Sequence, residues 1–512
     1  MALIARLMFA DSGFDYKKSL SKSQDAVYGD LHLKSIINAM AQGDDLIKKV
    51  AQAALLDSLR STDTVLYRQE ILCDAISHPN LFQTIYELTS DALWKVRREI
   101  FTYGLASDHD ERNLRRGRDL LEFYLPYLEQ LNSLALQFRP KVQSRGLKTL
   151  LDACITEVDK EFLVEARELL QDLKFDRGIH VSACLGAGNM GVDYIPHDAP
   201  PSRRGLGDYW QHYRSQHYLV RLAERDEAGA QVIGQMRDRA VGELASVVGE
   251  SGDRVEGFFR SLRSETAFYL GCVNLYNRMK ELEVKTCLPV MQPTEAMAWH
   301  FDSLRDARLV LDETKDVVGN HLSGEQRKLI LITGANEGGK STYLRSLGQA
   351  QLMAQCGMFV LANQAELSIT NGVFTHYRRE EDAELEVGKF EEELRRMSEL
   401  VEVLSPGSMV LFNESFASTN MIEGSQVAEE VVSELVNAGI RVAFVTHLFH
   451  FSTWAQGHFG QDGLYLRAIR EANGRRSFEL KEGDALPTSF GRDLYREVFE
   501  TQNRNRRENE YG

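Results

Sequence analysis

The chain has 512 residues, 43% hydrophobic and 26% charged, with 10 prolines and a formal net charge of -15. That make-up suits a soluble globular protein of about two to four domains and excludes a low-complexity or fibrous chain. It also excludes a protein coated in basic surface, so any nucleic-acid contact must come from a local patch.

The stretch from Met1 to Lys18 has too short an apolar run and too polar a flank for a secretory signal. No segment approaches the roughly 18 apolar residues of a membrane span. The expectation is a cytoplasmic protein with no membrane contact. Cys73, Cys154, Cys184, Cys272, Cys287 and Cys356 are scattered, without a CxxC pair or a histidine at metal-ligand spacing, and read as reduced, mostly buried thiols.

From residue 1 to about 285 the apolar spacing is helical. Apolar residues recur three and four apart in LHLKSIINAMAQGDDLIKKVAQAALLDSL (31–59), in SDALWKVRREIFTYGL (90–105), and from Arg112 through LLEFYLPYLEQLNSLALQF. A further long helical stretch runs from about Gly229 to Val284. These exceed the usual length of about 11 residues and read as arms or levers. Within this half, FDRGIHVSACLGAGNMGVDYIP (175–196) switches to strand-like alternation, a small β insertion near 175–195, and PHDAPPSRRGLGDYW (196–210) is the most linker-like piece.

After about residue 286 short apolar runs alternate with helical segments: KLILITG, GMFVLA, GVFTHYR, SMVLFNES and RVAFVTH. Strands apolar throughout and separated by helices imply a mostly parallel sheet covered on both faces. The expected fold is therefore an α/β domain over 286–512, ending in a short helix, preceded by a largely α-helical core and lever or clamp-like region over 1–285.

Gly334 to Ser341 reads GANEGGKS, the G-x-x-x-x-G-K-[ST] phosphate loop, following a strand and opening a helix. The glycines let successive N–H groups point at a phosphate, and the helix start adds positive potential. Lys340 would reach the β- and γ-phosphates of a nucleotide and the Ser341 hydroxyl would bind Mg2+. A second pattern, Gly186, Gly188 and Gly191, fits G-x-G-x-x-G, but VDYIPHDAPP behind it is no helix, so it reads as a turn or hairpin.

In VLFNES, Asn413 would stand beside the metal and Glu414 where it could orient or deprotonate a water. The ordinary alternative is a strand ending in polar residues; the upstream loop favours the functional reading. RVAFVTH carries His447 to the edge of a sheet, where γ-phosphate sensors sit, or holds it as a structural histidine. REEDAELEVGKFEEELRRMSEL is acidic and then helical, mostly a solvated face. ERNLRRGR (111–118) is equally a solvated helix face or a phosphate contact.

These residues together resemble the ATPase domain of MutS-type DNA mismatch repair proteins. The resemblance runs from about Val317 to Val498. It covers LSGEQRKLILITGANEGGKSTYLRSLGQAQLMAQCGMFVLA, FTHY, GKFEEEL, VLFNESFASTN, FVTHLFHF and TSFGRDLY, and more weakly LLDSLRSTDTVLYRQEILCDAI in the helical half. It implies a P-loop ATPase that binds DNA as a homodimer with composite nucleotide sites and takes part in repair or recombination, while the uncharged amide of Asn413 makes slow turnover the expectation. It further implies ATP and Mg2+ held by Gly334, Asn336, Gly338, Gly339, Lys340, Ser341 and Thr342, with Glu414 acting on water and His447 sensing the γ-phosphate.

Three departures shape the expectation. Asn413 replaces the family's Asp, Glu337 is a candidate to offset the lost charge, and no mismatch-reading segment has a counterpart in this sequence. The family's trans-acting serine is also missing from Glu386, Val387, Gly388, Lys389 and Phe390, which leaves Lys389 as a candidate trans charge. A rival reading is a nucleotide-gated protein-interaction switch with little hydrolysis. A transporter-type ATPase is disfavoured because no LSGGQ-type signature precedes SMVLFNES.

Overall fold

The structure is a computed structural model that describes residues 3–57, 59–99, 109–174, 180–185, 191–197, 227–312, 317–334, 338–379, 388–470 and 476–485. The chain divides into two compact units: Met1–Arg6, Gln83–Val142 and Leu147–Arg263 form the first, and Leu7–Phe82, Gln143–Gly146 and Ser264–Gly512 the second.

The helical half contains α1 (Lys22–Asp30), α2 (Leu33–Ala41), α3 (Asp45–Leu56), α4 (Thr62–Ser77), α5 (Pro79–Glu99), α6 (His109–Phe138), α7 (Arg145–Glu157) and α8 (Lys160–Asp172). Strands β1 (His180–Leu185) and β2 (Gly191–His197) and helix α9 (Glu227–Glu281) complete it. The helical spacing of 31–59 is realised as two helices. Gln42 and Gly43 take φ of 47° and 92°, ending α2. The Asp44 carboxylate then accepts from Leu46 N–H and Ile47 N–H at 2.8 and 3.0 Å, which caps α3.

In the first unit α6 meets the early part of α9 almost backbone to backbone. A Cβ at Gly117 would lie 2.6 Å from the Val248 carbonyl oxygen, so only glycine fits. Tyr124 and Phe259 pack beside this crossing with ring centroids 4.6 Å apart. In the basic stretch 111–118, Arg116 pairs with Asp253 at 2.6 Å and Arg118 with Asp119 at 2.6 Å, while Leu114 is buried. Strands β1 and β2 pair antiparallel from His180↔His197 to Leu185↔Gly191, and Gly191 of the second glycine pattern opens β2. Gly186 and Gly188 themselves lie outside the described residues.

The second half contains β3 (Val290–Gln292), β4 (Trp299–Leu304), α10 (Ala307–Asp312), β5 (Asn320–Ser323), β6 (Leu329–Gly334), α11 (Lys340–Gln355), β7 (Gln364–Ser368) and β8 (Val373–Tyr377). It continues with α12 (Lys389–Val401), β9 (Met409–Asn413), α13 (Met421–Asn437), β10 (Arg441–Val445), α14 (Phe449–Phe459), β11 (Gly463–Arg470) and β12 (Arg476–Glu482). One six-stranded sheet has the order β12-β11-β6-β10-β9-β8. The pairs β11/β6, β6/β10, β10/β9 and β9/β8 run parallel, and β12 is antiparallel to β11.

Alternation along the strands sorts the sheet's two faces. Leu329, Leu331, Val410, Phe412, Val442 and Phe444 point to one face, where α12, α13 and α14 cover them through Leu400, Val432 and Phe451. Each large side chain buried there contributes about 1.5–3 kcal/mol. Helix α11 covers the other face so closely that a Cβ at Gly348 would lie 2.6 Å from Leu411 Cδ1.

A second, four-stranded sheet has the order β3-β7-β4-β5, with β4 antiparallel to both neighbours. The sequence pattern suggests a strand at GMFVLA (357–362), but only Val360 makes a bridge there, to Cys287. Its apolar character comes from being buried on all sides. Its backbone groups are satisfied piecemeal, by Cys287 and by Arg305 N–H, rather than along one ladder.

The second unit also takes in α1 to α4. Thr375 on β8 donates to the Asp30 carboxylate at 2.6 Å, and Gln349 on α11 donates to the Leu31 carbonyl at 2.9 Å. Among the described residues no helix is long and apolar enough to cross a membrane.

Candidate nucleotide site

Strands β6, β8, β9 and β10 run parallel, so their C-terminal ends share one edge of the sheet, the usual place for a ligand in an open α/β sheet. Gly334 ends β6 with φ of 112°, and its own Cβ would lie 2.9 Å from Ala468 N, so a larger residue is excluded twice over. Gly338 and Gly339 lead into α11; Gly339 takes φ of 86° and caps the helix without a side chain. Asn336 and Glu337 lie outside the described residues.

Lys340 opens α11 almost fully buried, and its Nζ donates to the Gly334 carbonyl at 3.0 Å. Burial, opposed in part by the Glu414 carboxylate, pushes the ammonium down to about 8. Ser341 Oγ donates to Asn413 Oδ1 at 2.8 Å, which joins the loop to the end of β9.

Immediately after β9, Glu414 turns toward His447, whose Nε2 lies 3.0 Å from Glu414 Oε1. That hydrogen bond, with the charges of His447, Lys340 and Arg378 behind it, holds the Glu414 carboxyl below the usual carboxylate range, against its partial burial. His447 lies two residues beyond β10, which sits inside the sheet between β6 and β9, so the histidine stands at a strand's C-terminal end rather than on an edge strand.

The turn that aims Glu414 is strained. Glu414 and Phe416 have φ of 54° and 63°, left-handed values that cost non-glycine residues on the order of 1–3 kcal/mol each. Buried bonds on both sides hold it. Glu414 N–H donates to the Val445 carbonyl at 2.8 Å, and Phe416 N–H to Glu393 Oε1 at 2.7 Å. Ser415 Oγ donates to the His376 carbonyl at 2.5 Å and lies 2.9 Å from His376 Nδ1. Burial, reinforced by the Arg396 charge, pushes His376 down to about 4, so it is neutral at pH 7. Gly424 completes the support: a Cβ there would meet the Phe416 carbonyl at 2.1 Å.

Gly338, Gly339, Lys340, Ser341, Thr342, Glu414 and His447 line one cleft of about 660 Å³. Gly334 and Asn413 adjoin it through Lys340 and Ser341. Lys389 begins α12 and is not among the cleft-lining residues. Leu309, Val317, Val318, Asn320, Arg378 and Phe478 also line the cleft and carry no motif. Asn320 places Phe478, donating to its carbonyl at 3.1 Å and accepting from Leu480 N–H at 2.8 Å. Arg378 directly follows FTHY at the end of a parallel strand, a position that nothing local in the sequence marks.

Among the described residues no three His, Cys, Asp or Glu side chains are arranged to hold a metal. The hard oxygens of Ser341 and Asn413 fit a Mg2+ that keeps waters and takes its other ligands from phosphates.

The chain is similar in sequence to known proteins. Residues 60–282 match the MutS2 N-terminal domain and residues 330–491 match MutS domain V. An Endonuclease MutS2 from Thermus thermophilus is 33% identical over 169 residues, covering 33% of this chain and 23% of the relative. A DNA mismatch repair protein MutS from Chloroflexus aurantiacus is 32% identical over 175 residues, 33% of this chain and 18% of the relative. An Endonuclease MutS2 from Streptococcus equi is 26% identical over 299 residues, covering 55% and 36%. The matched region thus spans between 18% and 36% of these relatives' own length. With both of its halves matched by models of this family, the chain belongs to the MutS family.

Proposed function

We propose that this chain is a P-loop ATPase of the DNA repair and recombination class, in which ATP binding and hydrolysis gate helical arms around duplex DNA. The observation that carries this reading is the Glu414–His447 pair, 3.0 Å apart and facing the same cleft as Lys340 and Ser341. Residues 286–512 serve as the ATPase domain with its short C-terminal helix, and 1–285 as the core and lever. The working form is a cytoplasmic homodimer with composite nucleotide sites.

Gly334, Asn336, Gly338, Gly339 and Thr342 cradle the phosphates, and the apolar wall of Leu309, Val317 and Val318 with Phe478 seats the base. Lys340 exchanges its bond to the Gly334 carbonyl for the β- and γ-phosphates. Ser341 and Asn413 hold Mg2+, which when bound neutralises the charge that develops on the transferred phosphoryl group. Glu414, ionised at pH 7, orients the attacking water and accepts its proton, and His447 holds the carboxylate in place and senses the γ-phosphate.

Asn413 favours a second reading. An uncharged amide in place of a carboxylate weakens metal binding, which suits a nucleotide-gated protein-interaction switch with little hydrolysis and no mismatch recognition. One experiment separates the two: ATP turnover of the wild type and Glu414→Gln, each alone and with duplex, branched or mismatched DNA. DNA-stimulated turnover that disappears in Glu414→Gln supports the ATPase. Failure to bind any of these DNAs across a range of salt refutes it.

A further inference from the structure

We propose that Arg378 is a further nucleotide-binding residue, an arginine supplied within the same chain that reads the γ-phosphate and so sets the preference for ATP over ADP. The inference rests on the nucleotide reading of the cleft given above and names a residue outside its motifs.

Four observations carry it. Arg378 lines the same cleft as Gly339, Lys340, Ser341, Glu414 and His447. It is placed by the sheet, not by a loose loop. Tyr377 pairs with Asn413 in the β8/β9 ladder, and Arg378 N–H donates to the Asn413 carbonyl at 3.0 Å, so the backbone of Arg378 is tied beside the residue that Ser341 contacts. The guanidinium is exposed and makes no hydrogen bond or ion pair among the described residues, whereas Arg345 and Arg396 nearby are engaged with Asp306 and Glu392. Glu414, the carboxylate that stands where hydrolysis would occur, directly follows Asn413 in the chain, so Arg378 and Glu414 leave the sheet from neighbouring strand ends.

The chemistry of the site explains why a second fixed cation belongs there. Asn413 supplies no negative charge, so the cleft holds metal less tightly than a carboxylate would. An arginine stays charged at every working pH, and its planar fork matches the terminal oxygens of a phosphate. Placed at the mouth of the cleft on the Glu414 side, it meets the phosphate farthest from the base. ADP lacks that group, so the contribution of Arg378 should appear in ATP and vanish in ADP.

The test is a fluorescence titration of full-length wild type, Arg378→Ala and Arg378→Lys with ATP, a non-hydrolysable ATP analogue and ADP, each with and without Mg2+. Arg378→Ala is expected to weaken ATP and the analogue about tenfold, or about 1.4 kcal/mol, with ADP affinity changed less than twofold. Arg378→Lys should recover part of the loss, because a point charge replaces the fork only in part. The ratio of ATP to ADP affinity is the deciding quantity, because a structural defect would lower both alike. An unchanged ratio in both variants overturns the role of Arg378 while leaving the nucleotide site standing. Wild-type protein that binds neither nucleotide overturns both.

Discussion

The buried ammonium of Lys340 should make ATP binding fall with rising pH, in a window well above the titration of the nucleotide itself. In the free protein Lys340 is pushed down to about 8, so half of it is neutral at that pH. A bound phosphate replaces the lost solvation and returns the lysine to about 10.4 or above. Binding then takes up about 0.1 proton at pH 7, about 0.5 at pH 8 and about 0.9 at pH 9. The dissociation constant for ATP should therefore rise about tenfold between pH 7 and pH 9, equivalent to about 1.4 kcal/mol.

Stability of the nucleotide-free protein carries the opposite sign. The unfolded lysine keeps its proton between about 8 and 10.5 while the folded one loses it, so stability rises with pH across that window. The assay is isothermal calorimetry in two buffers of different ionisation enthalpy at pH 7, 8 and 9. The ATP phosphate, with its last proton leaving near pH 6, is fully ionised above pH 8 and does not interfere. Glu414, held below the usual carboxylate range, stays ionised throughout. A dissociation constant flat from pH 7 to 9, with heats independent of buffer, would refute the placement of Lys340 at the phosphates.

The charge missing at Asn413 gives a second prediction: Asn413→Asp should lower the Mg2+ concentration needed for half-maximal turnover without abolishing activity, and an unaltered Mg2+ dependence would place residue 413 away from the metal. Gly424→Ala should cost about 1–3 kcal/mol, lower the melting temperature and slow turnover, because its Cβ would drive into the Phe416 carbonyl at 2.1 Å and push on the turn that aims Glu414. Gly257→Ala in α9, where nothing lies within 4 Å, is the control, and should be neutral or stabilising by up to about 1 kcal/mol. His376 gives a prediction on the acid side. Folded His376 binds fewer protons than the unfolded side chain between about 4 and 6.5, so stability is full above that window and falls by up to roughly 3 kcal/mol as pH drops through it. Denaturant titrations should show this slope in the wild type and lose it in His376→Asn.

Much of the candidate site was legible in the sequence because its parts are local. A glycine loop between a strand and a helix states its own geometry, since Gly334 and Gly339 must accept positive φ and Lys340 must follow them. Asn413, Glu414 and His447 announced themselves as polar residues closing apolar runs, at the points where the strands end. The parallel sheet followed from runs such as LILITG and RVAFV, too continuously apolar to show one face to water.

The tertiary structure decided what depends on partners distant in the chain. GMFVLA reads as a strand from its residues, yet it has no single neighbour to pair with. The segment from Leu7 to Phe82 is helical by periodicity, but its membership in the unit that carries the cleft rests on bonds such as Thr375 to Asp30, 345 residues apart. Phe478 enters the cleft because Asn320, 158 residues earlier, holds its backbone. Arg378 enters it because β8 lies beside β9 in the sheet order. Periodicity and motif spacing encode contacts within a turn or a strand and its loop. The sheet order, and the side chains it carries to the cleft from unremarkable positions, comes from the burial of Phe412, Phe444 and their neighbours, which no local window of the sequence contains.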